Sequence, residues 1–223
     1  MKVSAIIQAR ALAFIELYDL DPRGKTFFPE TIKKLQQRYG FLQTPKVEEM
    51  DEQKGVELKT GKIGDVVIDK LKIFPSLFVL ETHANTTESK QVLEEMFDWG
   101  KRDLGLTYEP KMIRHWAYVS ILTFHSDANI IALANKPAAK LAAKVSSAVS
   151  EIWSQPTAFE ARSLSITHDP LVRKNGIAGL LITPRLETPY SENKFYSEAP
   201  LPTDTHIKFL EEFEADVLAQ NKG

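Results

Sequence analysis

Two stretches of this chain echo each other, and together they limit how it can be organised. Residues 86–96, Thr-Thr-Glu-Ser-Lys-Gln-Val-Leu-Glu-Glu-Met, return in outline at 203–213 as Thr-Asp-Thr-His-Ile-Lys-Phe-Leu-Glu-Glu-Phe. Each opens on a hydroxyl residue suited to accept hydrogen bonds from the free N–H groups at a helix start. Each then sets Leu-Glu-Glu before a large apolar side chain, as an amphipathic helix requires. The expectation is a single domain of two related α+β halves, about 1–107 and 108–223, each closed by a helix.

The elements before each helix can be read from hydrophobic period. Odd positions Ala5, Ile7, Ala9, Ala11, Ala13, Ile15 and Leu17 are apolar without a break, which predicts a long half-buried strand over 3–18. Pro29 opens a helix whose stripe is Ile32, Leu35 and Tyr39, with Gly40 as its stop. The acidic stretch 43–55 reads as a surface loop, followed by strands at about 55–61, 65–74 and 76–83 and a helix over 87–103 burying Val92, Leu93, Met96 and Phe97. Residues 114–125 are apolar at both parities, as in a strand inside a sheet.

Pro137 opens a further helix with Leu141, Val145, Ala148 and Ile152 as its buried seam. Strands at about 158–168 and 177–183 follow, with Asp169, Pro170, Asn175 and Gly176 as turn residues, and 184–202 reads as a long irregular stretch. In the last helix Ile207, Leu210, Phe213, Val217 and Leu218 face the core, while Glu211, Glu212 and Glu214 sit off that stripe. The predicted order is β-α-β-β-β-α then β-α-β-β-α, an antiparallel sheet with helices on one face. In element order alone this resembles the saddle of TATA-box-binding-type folds. A long final helix on an antiparallel sheet resembles instead the helix-grip ligand carriers.

Composition removes whole classes of chemistry. The chain has no cysteine, which excludes disulfides, thiolate nucleophiles and cysteine-ligated zinc. Net charge is −2, spread evenly between the halves, so a phosphate-neutralising surface is not expected and nucleic acid is disfavoured as a partner. The basic cluster Lys33, Lys34 and Arg38 reads as a solvated helix face. No apolar run reaches membrane-spanning length and the first residues make a poor signal peptide, so the expectation is a cytoplasmic protein without membrane contact.

Gly-rich phosphate loops, the Gly-x-Ser-x-Gly elbow and His-Glu-x-x-His are absent from the sequence, and no cofactor is implied. The best catalytic constellation is three histidines near strand ends, His83, His125 and His168, which with Asp127 and Asp169 could serve a divalent metal; His125 and His168, on strands separated by a helix, can lie together more easily than either with His83. Within 184–202, Arg185, Tyr190, Lys194, Phe195 and Tyr196 are residue types enriched at protein interfaces, and long loops often bind. The leading expectation is therefore a binding or assembly protein acting on a protein partner or on itself. The alternatives are a metal-dependent His/Asp enzyme, a small-ligand carrier, or a weak nucleic-acid binder using the sheet face.

Overall fold

A computed structural model of the chain describes residues 1–51, 53–169, 171 and 177–221. The first strand, β1 (Lys2–Phe14), fully buries Ala9, Ala11 and Ala13, following the apolar alternation. It stops earlier than the alternation does, and Leu17 instead begins a short helix, α1 (Leu17–Leu20). Helix α2 (Phe28–Tyr39) has Pro29 in its first turn and buries Ile32, Leu35 and Tyr39. It ends at Gly40, whose φ of 63° lies in the left-handed region that glycine adopts without steric cost.

Three strands, β2 (Val56–Ile63), β3 (Val66–Phe74) and β4 (Leu77–Thr82), form the expected antiparallel meander, with Leu58 opposite Leu71 and Leu71 opposite Leu80. β4 then pairs with β1, Leu80 facing Ala11. Helix α3 (Thr86–Leu104) buries Val92, Leu93, Met96 and Phe97 as its stripe predicts, and Trp99 besides. Its cap is Asn85 rather than a threonine: the Asn85 side chain accepts from the Glu88 N–H at 2.8 Å, and Glu88 accepts from the Asn85 N–H at 3.2 Å.

The second series is β5 (His115–His125), α4 (Ile130–Ala134), α5 (Ala139–Trp153), β6 (Leu164–Ile166), β7 (Leu180–Pro184), β8 (Lys194–Ala199) and α6 (Thr203–Gln220). It departs from the prediction in four respects, the first being that α4, which no expected element covers, precedes α5. Residues 184–202 are not one irregular stretch, because β8 lies within them and pairs with β7, Ile182 facing Ser197. The inner side chains of β8 are Phe195, Ser197 and Ala199, too small and polar on average to read as an apolar alternation. The strand expected at 158–168 is confined to Leu164–Ile166. Finally, the seam of α5 is not buried: Leu141 is 65% exposed, Ile152 77% and Val145 37%.

Of the expected turn residues, Pro170, Asn175 and Gly176 lie outside the described ones, whereas the Asp169 side chain accepts from the Leu171 N–H at 2.8 Å. In the 43–55 stretch a short 3₁₀ turn, Val47–Glu49, and a bridge from Gln43 to Lys59 replace a plain loop, and Glu52 is outside the described residues.

The fold is α+β: one open antiparallel sheet in the order β2-β3-β4-β1-β5-β8-β7-β6, with six α-helices among the described residues. β5 stands inside the sheet, as its apolar character at both parities predicts. The chain divides into two compact units, one of Ile6–Ser120 with Leu201–Thr203, the other of Met1–Ala5 with Ile121–Pro200 and Asp204–Gly223. The core of the first runs from Ala11 and Ala13 through Leu58, Leu71 and Leu80 to Leu93, Phe97 and Trp99. That of the second is smaller: Leu122, Phe124, Ile130, Ile131, Ile182, Phe195, Leu210 and Val217.

Within the first unit, Thr86 and Thr203 join the starts of α3 and α6. The Thr86 N–H donates to Thr203 Oγ1 at 3.1 Å, and the Thr203 N–H donates to Thr86 Oγ1 at 2.8 Å. Both residues are only 1% exposed. Each hydroxyl thus satisfies a helix-start N–H that has no partner within its own helix.

Candidate functional site

The first unit contains a partly open pocket of about 380 Å³ bordered by α1, α2, β3, β4 and α3. Its walls are set by local structure. The α3 stripe turns Leu93, Met96 and Phe97 inward, α2 offers Phe28 and Leu35, and β3 and β4 supply Leu71, Ile73 and Phe78. The corner helix α1 adds Leu17 and Leu20. Two backbone bonds hold it in place, from Leu17 N–H to Pro75 O and from Thr107 N–H to Leu20 O, each 2.7 Å. Behind the wall, Phe97 packs on Tyr108, centroids 5.0 Å apart, and Trp99 meets Tyr39 edge-on at 5.8 Å.

Polar side chains line only part of this space: Glu16, Asp21, Thr26, Thr31 and Gln53. Glu16 is paired with Arg114 at 2.9 Å. Asp21 accepts from the Thr26 hydroxyl at 2.5 Å and from the Thr26 and Lys25 N–H groups at 2.8 and 3.0 Å. These bonds, the Thr26 hydroxyl foremost, hold its carboxyl below the usual range, so it is anionic at neutral pH. Tyr18, 74% exposed, also lines the space. The site offers shape and apolar contact, with hydroxyls and negative charge at its polar end.

Behind α2 and α3, the Glu95 carboxylate takes Arg38 Nη2 and the Tyr39 hydroxyl, each at 2.5 Å. Burial, then the adjoining carboxylate, pushes the Tyr39 hydroxyl pKa well up. Burial pushes Tyr108 to about 12. Arg38, read from sequence as part of a solvated face, spends its charge on Glu95 and lies over the Tyr39 and Trp99 rings.

His83 lies in the first unit, largely exposed, with Nε2 3.0 Å from the Asp69 carboxylate; the other catalytic candidates and the interface candidates all fall in the second unit. His125 ends β5 half-buried, Asp127 is exposed beyond it, and His168 and Asp169 are exposed after β6. No group of three or more His, Asp or Glu side chains placed to hold a metal ion occurs among the described residues. Of the interface candidates, Phe195 is 2% exposed and stacks on Phe124 at 5.3 Å, so it is a core side chain. Lys194 and Tyr196 occupy the opposite face of β8, where the Tyr196 hydroxyl donates to Glu198 at 3.2 Å. Arg185 and Tyr190 line an open cleft of about 440 Å³ together with Arg162, whose guanidinium lies 3.8 Å from the centre of the Tyr190 ring.

Two polar residues of α6 are buried, and Glu214 thereby differs from expectation. Glu214 is 7% exposed and on the inner face, where it accepts from the Ser126 hydroxyl and pairs with the Met1 amino group. His206 is fully buried and its Nε2 lies 2.8 Å from Ser197 Oγ. Helical spacing from Leu210 and Val217 puts 206, 210, 214 and 217 on one face, so position in the period outranked residue type.

Sequence reasoning missed the cavity. Its one legible signal was the apolar excess of Leu17, Leu20 and Phe28 beside the Asp21 turn, more than the α2 stripe alone needs. No helix among the described residues is long and apolar enough to cross a membrane. No protein-family model matches the chain, and the comparison with curated proteins gave no match.

Proposed function

We propose that the protein binds a small, mainly apolar molecule in the cavity of the first unit. The observation that carries this reading is the size of the space inside an otherwise closely packed core. Ligand sites typically occupy about 300–1,000 Å³, and this one holds about 380 Å³. Among the described residues its walls contain no nucleophile–base pair, so carriage or sensing fits better than catalysis. The anionic Asp21 disfavours a carboxylate on the ligand and favours a hydroxyl or an amine.

The test is displacement of an uncharged fluorescent probe, followed by energy transfer from Trp99, using decanol, decylamine and decanoate as competitors. Decanol and decylamine should displace it at least ~10-fold more strongly than decanoate, a difference of about 1.4 kcal/mol. Met96→Trp, which fills the cavity, should lose probe binding ~10-fold while keeping the far-ultraviolet spectrum. Absence of probe binding, or binding unchanged by Met96→Trp, removes the proposal.

A second reading, assembly with a protein partner, is supported by the cleft at Arg162, Arg185 and the 55%-exposed Tyr190. A cytoplasmic setting belongs to the proposal too, supported by the absence of cysteine. So does descent by duplication. Its support is that β-α-α-β-β-β-α describes both series, and that each series orders its strands first, fourth, third, second.

A further inference from the structure

We propose that the occupant of the first unit's pocket is a cation, a protonated primary amine on an apolar body, and that Asp21 is its counter-charge. The assignment rests on the pocket being a ligand site and narrows the occupant to one chemical class. Two carboxylates, Glu16 and Asp21, line the space, and among the described residues no lysine, arginine or histidine does so. The two acids are not equivalent. Glu16 is already paired with Arg114 at 2.9 Å. Asp21 takes only neutral donors, the Lys25 and Thr26 N–H groups and the Thr26 hydroxyl. Two of these three bonds fall on Oδ2, so Oδ1 keeps room for a further donor.

Where Asp21 stands matters as much as its charge. The inner walls, with Leu71, Leu93 and Phe97, are buried, whereas Tyr18 and Gly24, which flank Asp21 in the chain, are exposed. Gly24 is tied to Asp21 directly, its N–H donating to the Asp21 carbonyl at 3.0 Å. Asp21 therefore belongs to the mouth of the pocket and is itself half-buried. An ammonium at this place keeps its other N–H donors in water and avoids the heavy cost of carrying an unpaired charge into an apolar interior. Its hydrocarbon body meanwhile lies along the buried walls.

An alcohol can also donate to Oδ1, but only the acceptor of that bond is charged. With an ammonium both partners are, and such bonds are the stronger kind. The cations of the same turn weaken this preference without cancelling it. Arg23 and Lys25 are exposed, and the charge of Lys25 acts on the Asp21 carboxyl less than the hydrogen bonds do.

Displacement of the uncharged probe separates the identity of the ligand from the existence of the site. Decylamine, protonated at about pH 7 as a lysine side chain is, should displace the probe about 5-fold more strongly than decanol, the upper end for a partly solvated ion pair. Raising sodium chloride to ~0.5 M should shrink that preference by screening. Asp21→Asn, which still offers an oxygen to Thr26, should bring the two competitors within ~2-fold of each other and leave probe affinity unchanged. The salt series uses the parent protein alone, so it decides the matter even if the variant loses its far-ultraviolet spectrum. Decanol matching decylamine on the parent protein overturns the proposal and leaves the pocket as a ligand site. So does an amine preference that survives ~0.5 M salt or a folded Asp21→Asn protein. A probe that does not bind removes both.

Discussion

Replacing Thr203 by valine keeps the side-chain shape and removes one hydroxyl, and the structure specifies what that hydroxyl does. It accepts from the Thr86 N–H at 3.1 Å, in a place where both residues are 1% exposed. Valine therefore leaves a buried helix-start N–H without an acceptor. Such an orphan costs about 1–3 kcal/mol, against a few tenths for an exposed Thr→Val change. At about 2–4 °C per kcal/mol for a chain of this length, the melting temperature should fall by about 2–12 °C. Thr86→Val should cost about the same through the 2.8 Å bond from the Thr203 N–H. The double variant should cost about 1 kcal/mol less than the sum, because breaking one bond of the pair slackens the other. Urea titration with far-ultraviolet detection measures each cost. Thr203→Ser, which retains the hydroxyl, and Thr87→Val, at an exposed position, are the controls. A Thr203→Val protein within 0.5 kcal/mol of the parent, a magnitude expected only of solvated sites, would refute the argument. Strict additivity in the double variant would refute the coupling.

Two further outcomes follow from the ionisable groups. In an alkaline absorbance titration, Tyr39 and Tyr108 should stay protonated well past pH ~10, Tyr108 titrating at about 12 and Tyr39 later still. A tyrosine whose folded pKa is raised contributes stability fully below the unfolded value and loses it as pH rises through the folded one, so unfolding should speed above pH ~10. Asp21 has the opposite sign. Its carboxyl, depressed chiefly by the Thr26 hydroxyl, should titrate below ~3.9 by NMR and rise on Thr26→Val. Its contribution to stability is present above that unfolded value and lost as pH falls through the folded one; an Asp21 unmoved by Thr26→Val would remove the cause assigned to the depression.

The elements that could be read from sequence were those whose buried side chains are apolar at a regular period. α2 and α3 declared their stripes through Ile32, Leu35 and Tyr39 and through Val92, Leu93, Met96 and Phe97. β8 was invisible because its inner row is Phe195, Ser197 and Ala199, in a segment punctuated by Pro189 and Pro200. The α5 seam was legible as a seam, yet periodicity reports that a helix has an apolar face and not what meets it. The echo of 86–96 in 203–213 suggested capping hydroxyls. The threonines turned out to serve each other's helices, a relation between residues 117 positions apart that no local pattern encodes. The cavity was illegible for a different reason: it is the gap left when three correctly read apolar faces fail to close on one another.

The interleaved division of the chain bears on how it is made. Met1–Ala5 belongs with residues 121–200, while the residues directly following it belong to the other unit. β5, the strand beside β1, ends at His125, and at ~5–20 residues per second roughly 6–24 s separate the synthesis of residue 5 from that of residue 125. During that interval the Ile6–Ser120 unit can condense around its larger core, while the first five residues wait with their backbone donors and acceptors in water. A cut after Ser120 would strand them permanently, so the two units are not separable by truncation even though each has its own core.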